Sequence, residues 1–159
     1  EKSAYRDIVV NEVIRETREL FNPRMSQHKI GFRFIDSHEN LVIQGNEDEL
    51  RQVFINLLMN SIDAVSPGGT ISVELFRDKA NRAVVVFSDD GEGFGFDVQK
   101  RLFEPFFTTK TDKNRSGLGL FIVKRIIEEH GGIISAESKP GHGASFTLSL
   151  PILSTVLHT

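Results

Sequence analysis

Two amides four residues apart, Asn56 and Asn60, and a carboxylate closing an apolar run, Asp89, are the side chains best placed to do chemistry. At roughly 100° per residue, Glu49, Gln52, Asn56, Asn60 and Asp63 fall on one narrow helical stripe. Buried polar groups cost about 1–3 kcal/mol each unless partnered, so such a stripe faces polar protein groups or a polar ligand. Two amide oxygens one turn apart suit a metal ion or a phosphate cluster. A polar seam between helix and loop is the alternative, which the helix alone leaves open. Asp89 opens the stretch Asp89-Asp90-Gly91-Glu92-Gly93-Phe94-Gly95. Gly91 and Gly93 let the backbone come close to a flat ligand. A carboxylate there accepts a hydrogen bond from an exocyclic amine, which adenine offers. Guanine presents a carbonyl oxygen instead, which the carboxylate repels. A tight turn in which Asp89 caps backbone amides is the competing reading.

Gly117-Leu118-Gly119, at the start of an apolar helical pattern, is a plausible phosphate cradle, because free amides and the helix dipole both favour anions. Lys110 could reach a terminal phosphate, although a lone loop lysine is ordinarily just solvated. The spacing Gly91-x-Gly93-x-Gly95 is not the dinucleotide fingerprint, since Phe96 holds the third glycine's place, and no Gly-x-x-x-x-Gly-Lys-Ser/Thr loop occurs. His28, His38, His130, His142 and His158 show no metal spacing and read as structural or surface residues.

These residues need a scaffold. The stripe lies on Asn46–Val65, which opens like a helix, with Asn46 as N-cap and Glu49 at the capping-box position. Nearly all its other residues are apolar, so we expect it to be buried almost all round, with only Arg51 and Ser61 interrupting. Tyr5–Met25 reads as an amphipathic helix that Asn22-Pro23 ends or disturbs. Ile30–Ile35, Leu41–Ile43 and Thr70–Phe76 read as strands, and the β-branched run Ala83–Phe87 as a central one. A helix from Ser116 stops at His130-Gly131-Gly132, and Ile133–Ser138 with Ala144–Leu150 forms a closing hairpin. The stretch from Gly95 to Arg115 has little periodicity, as expected of a lid. The expected fold is an α+β two-layer sandwich: a mixed sheet of about five strands, about three helices on one face, and a long lid. We expect one domain over 1–159, with its core at about 7–151 and a disordered tail at 152–159.

The 159 residues, 39% of them hydrophobic, suffice for one real core. A net charge of −3 with interspersed signs gives no nucleic-acid footprint. Absence of cysteine excludes disulfides, thiolate metal sites and a cysteine nucleophile, and fits a reducing compartment. No apolar run reaches the roughly 18 residues that span a bilayer. Glu1 rather than methionine stands first, so we expect a piece of a longer protein.

Four signals, in order, resemble the ATP-binding catalytic domain of sensor histidine kinases, within the superfamily of gyrase, mismatch-repair and heat-shock-chaperone ATPases. They are Asn56-Leu-Leu-Met-Asn60-Ser-Ile-Asp63-Ala, Asp89-Asp-Gly91-Glu-Gly93, Phe103-Glu-Pro-Phe-Phe-Thr-Thr-Lys110 and Gly117-Leu118-Gly119-Leu. Gly141-His-Gly143-Ala-Ser-Phe146 looks like the family's closing hairpin, and the Asn-Ser-Ile-Asp-Ala and Thr-Thr-Lys wording looks like the nitrogen-regulation type. The resemblance implies Mg-ATP as cofactor and ADP as product. Asn60 would ligate Mg²⁺, with Asn56 assisting at the phosphates; Asp89 would select adenine and Gly93 would line its plane. Lys110 would neutralise the γ-phosphate, and Gly117, Leu118 and Gly119 would hold the phosphates. Asp63 lies in the same motif, its role open between nucleotide site, water network and plain helix polarity.

The hydrolysing relatives place a glutamate, the general base for water, one turn before the metal asparagine. Here that place holds Asn56, whose amide cannot take a proton, so water attack should be slow. The resemblance thus implies a protein-histidine kinase that passes the γ-phosphoryl to a histidine on a separate acceptor domain of the same parent protein, and thence to a response regulator receiver domain. No acceptor helix is visible, so the fragment should be monomeric and its parent homodimeric, cytoplasmic or membrane-anchored elsewhere. Arg115 stands where the family often has a first glycine, and Ala144 where it often has threonine. Two alternatives remain: a slow ATPase or conformational switch, and a nucleotide-sensing scaffold that transfers nothing. Thr108–Ser116 should be mobile in the empty domain.

Overall fold

The computed structural model describes residues 5–107 and 119–153. Its elements are β1 (Arg6–Val9), α1 (Val10–Gln27), β2 (Gly31–Ile35), β3 (Val42–Gly45), α2 (Glu47–Ala64), β4 (Thr70–Arg77), β5 (Arg82–Asp89), α3 (Phe96–Gln99), α4 (Gly119–Glu129), β6 (Ile133–Ser138) and β7 (Ala144–Pro151). Five strands form one sheet in the order β2-β4-β5-β7-β6. Only β2 and β4 run parallel; every other neighbour pair is antiparallel. The sheet is mixed, its helices lie on one face, and the β-branched run of β5 is its middle strand, as the sequence indicates.

Strand alternation aims one row at those helices. Ile71, Val73 and Leu75 of β4, Ala83, Val85 and Phe87 of β5, and Phe146, Leu148 and Leu150 of β7 are all buried. Against them pack Val53, Phe54, Leu57 and Leu58 of α2, with the Phe54 and Phe87 rings 5.8 Å apart. Asn46 caps α2 as its sequence promises, its side chain accepting the Glu49 N–H at 3.0 Å.

Three expectations are corrected. The helix expected over Tyr5–Met25 begins instead at Val10, because residues 6–9 form β1 and pair with β3 in a separate two-stranded sheet. Ile8-Val9-Val10 is β-branched, and a neighbouring strand supplies the hydrogen bonds that decide between helix and strand. The same helix runs through Pro23 to Gln27. Phe21 and Met25 on either side of the proline are buried, and their packing outweighs the cost of a missing helical bond, about 3 kcal/mol. Finally, α2 is not buried all round: Ile55, Met59, Asn56 and Asn60 are half-buried and Asp63 is exposed, so the stripe lies on the less buried side of the helix. The expectations for Thr108–Ser116 and for most of the tail lie outside the described residues.

One buried side chain holds the β2–β3 connection. Asn11 is 1% exposed, donates to the Asp36 carboxylate (2.6 Å) and the Glu39 carbonyl (3.1 Å), and accepts the Leu41 N–H (2.8 Å). Replacing it with leucine orphans the buried Leu41 amide. We expect Asn11→Leu to lose about 2–3 kcal/mol in urea denaturation while the distant groove keeps its ligand affinity; an unchanged midpoint would show that water replaces the amide.

Candidate functional site

The groove is built along α2. The Asn56 amide nitrogen sits 3.4 Å from the Gly119 carbonyl and donates to it, which sets the stripe against the first described residue of α4. Asn60 lies one turn further on, and Asp63 about one turn beyond that. At the C-terminal end of α2, the Ala64 carbonyl accepts the Glu92 N–H (3.2 Å), anchoring the loop that follows β5. Along α2 the structure thus sets Gly119 beside Asn56, Asp89 beside Ser61 and Gly91 beside Ala64, with Asn60 and Asp63 on the same helix among them. Lys110, Gly117 and Leu118, with Arg115, lie outside the described residues.

Asp89 ends β5 opposite Ala144 of β7. Its half-buried carboxylate accepts the Gly91 N–H at 2.9 Å, the Ala144 N–H and the Ser61 hydroxyl. Burial pushes its pKa above the ordinary aspartate value; the three donors pull it back, and neighbouring Asp90 adds to the rise. The capping reading is realised. Asp89 does cap backbone amides, and it does so at the end of a sheet where a carboxylate is only partly solvated.

The loop carrying Gly91 and Gly93 is stitched to the β6–β7 turn. Ser138 accepts the Phe94 N–H (2.8 Å) and donates to the Gly143 carbonyl (2.6 Å), while Gly141 donates to the Glu92 carbonyl (2.7 Å). Gly93 and Gly143 have φ of +68° and +78°, and a side chain on either would overlap the backbone of the facing segment, Lys139 for Gly93 and Asp89 for Gly143. These two glycines let the turns close over each other.

Sequence reasoning missed Ser61, Ser138 and the backbone of Ala144 as parts of this site. Ser61 did leave a signal: a serine on the apolar face of a buried helix needs a partner, and at 1% exposure it has one in Asp89. The Ala144 contribution is a main-chain N–H, which no side-chain pattern reports. Its lack of a hydroxyl leaves that bond intact.

Comparison with known proteins fits this arrangement. Residues 45–154 match the family described as histidine kinase-, DNA gyrase B- and HSP90-like ATPase. The chain belongs to that family. It is 38% identical over 145 residues to the sensor histidine kinase ZraS of Salmonella typhimurium, covering 91% of this chain and 31% of that protein. It is 35% identical over 150 residues to the signal transduction histidine-protein kinase AtoS of Escherichia coli, covering 94% of this chain and 24% of that one. The chain thus spans about a third or less of these curated relatives. Among solved structures, the catalytic domain of histidine kinase ThkA superposes with a TM-score of 0.83 at 32% identity, covering 94% of this chain and 96% of that domain. ThkA has also been solved in complex with the response regulator protein TrrA, and there the match has a TM-score of 0.80 at 31% identity, covering 94% of this chain and 42% of that one. This chain is a catalytic, ATP-binding domain of the sensor histidine kinase kind. Among the described residues, no helix is long and apolar enough to cross a membrane.

The raised Asp89 pKa fixes a sign. A carboxyl that holds its proton more tightly when folded contributes most to stability below its ordinary value of 3.8, and loses that contribution as pH rises through the raised value. Urea melts of the wild type and Asp89→Asn between about pH 4 and 7 should show the wild type losing ground to the variant as pH rises. A difference flat in pH would mean that Asp89 titrates normally.

Proposed function

We infer that this domain binds Mg-ATP along α2 and transfers its γ-phosphoryl to a histidine on the acceptor domain of its parent protein. The observation that carries the reading is the order of groups on one helix. Asn56 meets the start of α4 at one end, and the Asp89 loop docks on Ala64 at the other, eight residues on, or roughly 12 Å. That separation suits an extended nucleoside triphosphate, with phosphates at the α4 end and the base at Asp89.

Asp89 is the candidate reader of adenine. The protein donors already on its carboxylate orient it and keep it available as an acceptor for an exocyclic amine. Gly91 and Gly93 are the candidate floor beneath the base. Among the described residues, no group of three or more His, Asp or Glu could hold a metal ion. An amide donor set suits Mg²⁺, which takes few protein oxygens and completes its shell with phosphate and water. Asn60 is the candidate metal ligand, with Asn56 at the phosphates, Asp63 at the edge of the site, and Lys110, Gly117, Leu118 and Gly119 the candidate phosphate-binding residues. Bound magnesium would neutralise phosphate charge; phosphoryl transfer then needs little beyond positioning.

Asn56 favours transfer over hydrolysis, because a neutral amide, unlike a carboxylate, cannot take a proton from water. The nucleophile would be the acceptor imidazole, and a response-regulator aspartate would receive the phosphoryl from it. We place residues 7–151 in one domain, monomeric alone, within a homodimeric parent of the nitrogen-regulation type. Its need for ATP puts the domain in the cytoplasm, whatever anchors the parent.

The test is phosphohistidine formation on the parent's acceptor domain with Mg-ATP, beside calorimetry with ATP, ADP and GTP. We expect adenine-selective binding. Asn60→Ala should reduce transfer by about 100-fold or more and abolish the magnesium-dependent part of the affinity. Full transfer in that variant would remove Asn60 from the metal; steady ATP turnover without an acceptor would favour a hydrolase; binding without either would favour a sensing scaffold.

A further inference from the structure

His130 follows α4 directly and is 6% exposed, yet no part of the proposed chemistry uses it. Its Nε2 lies 3.0 Å from the Asn46 backbone nitrogen, and its Nδ1 lies 2.7 Å from the Ile126 carbonyl oxygen. The backbone nitrogen can only donate, so Nε2 is the acceptor, and the ring proton sits on Nδ1 and is given to Ile126. The fold makes room for this ring. A side chain at Gly45 would collide with it, and Tyr5 stacks on it with centroids 5.2 Å apart and planes at 17°.

The residue it holds is the N-cap of α2, the helix that carries Asn56 and Asn60. Among the described residues, polar links join the ends of α2 and α4, which pack against each other: His130, just after α4, to Asn46, just before α2, and Asn56 to Gly119. Because the start of each helix lies by the end or middle of the other, the pair is antiparallel. Asn46 to Asn56 is ten residues, or about 15 Å of helix, and Gly119 to His130 is eleven, or about 16 Å. The two spans match. Apolar packing between the helices sets their distance and limits sliding, and a hydrogen bond at each end selects one axial register. A slip of one residue would move Asn56 and Asn60 by about 1.5 Å relative to the start of α4.

We propose that His130 is a positioning residue: by accepting the Asn46 N–H it sets the register of α4 against α2, and so the spacing between the Asn56/Asn60 amides and the phosphate-facing end of α4. Only the ligand arm of its test rests on the nucleotide reading above. His130→Phe keeps the ring, its packing and the Tyr5 stack but removes the acceptor. His130→Gln restores an acceptor at similar reach. Gly45→Ala pushes the ring off Asn46 with the histidine retained, a second route to the same loss should His130→Phe fold poorly.

Calorimetry with Mg-ATP and with adenosine separates the two ends of the groove. We expect His130→Phe and Gly45→Ala to weaken ATP by about tenfold or more while leaving adenosine unchanged, and His130→Gln to recover most of the loss. Equal weakening of both ligands, an unchanged ATP affinity, or no recovery with glutamine would each overturn the proposal. In parallel, NMR of the ligand-free domain follows the Asn56 side-chain amide and the Leu120 backbone amide. Those signals should shift in His130→Phe and return in His130→Gln, and unmoved signals would overturn the register role. If the wild type binds neither ATP nor adenosine, the nucleotide reading falls and this spectroscopic arm still decides the proposal.

Discussion

Burial of one face of α2 is the constraint on which the rest of the domain depends. Leu50, Val53, Phe54, Leu57, Leu58 and Ile62 lose nearly all their solvent contact to the sheet and to the flanking helices. Six such side chains contribute about 9–18 kcal/mol in gross transfer terms, as large as the whole net stability of an ordinary domain. The opposite face adds only a polar link, Asn56 to Gly119, among the bonds described above. That face can therefore carry amides and a carboxylate, and the core keeps them within a narrow range of positions.

The same division explains which parts of the molecule are legible in its sequence. Local signals were sufficient for the Asn46 cap, the alternation of β4, the central run of β5 and the closing hairpin, because each is decided within a few residues by periodicity or by a turn. Boundaries decided by distant partners were not. Arg6–Val9 is a strand only because β3 lies beside it, and α1 passes through Pro23 only because Phe21 and Met25 are drawn into the core. The half-exposure of Ile55 and Met59 could not be read from an apolar helix whose open side is a groove rather than a neighbour.

The candidate site divides similarly. Asn56, Asn60 and Asp89 were visible because their types are out of place among apolar neighbours. Ser61 was visible only as an interruption, and its function as a donor to Asp89 depends on packing α2 against the end of β5. Gly143, in the β6–β7 turn, and the Ala144 amide, at the start of β7, lie more than fifty residues after Asp89, and they act through the backbone. A side-chain motif registers that a glycine is required there. It does not register that the requirement is a close approach to the Asp89 main chain.

Asp89 shows how such a site is held at a tolerable energetic cost. A carboxylate meant to read an exocyclic amine must lose water, and losing water favours its protonated form, which would present a donor where an acceptor is needed. Three protein donors oppose that tendency, from α2, from its own loop and from β7. Each comes from a different element, so all three act on the carboxylate only when α2, the loop and β7 are docked together. The setting of this carboxylate is thereby coupled to the packing of the fold: a loosened β6–β7 turn or a displaced α2 would remove one of its donors. Under the proposed adenine contact, the affinity for the base would therefore report on the packing of elements that never touch it.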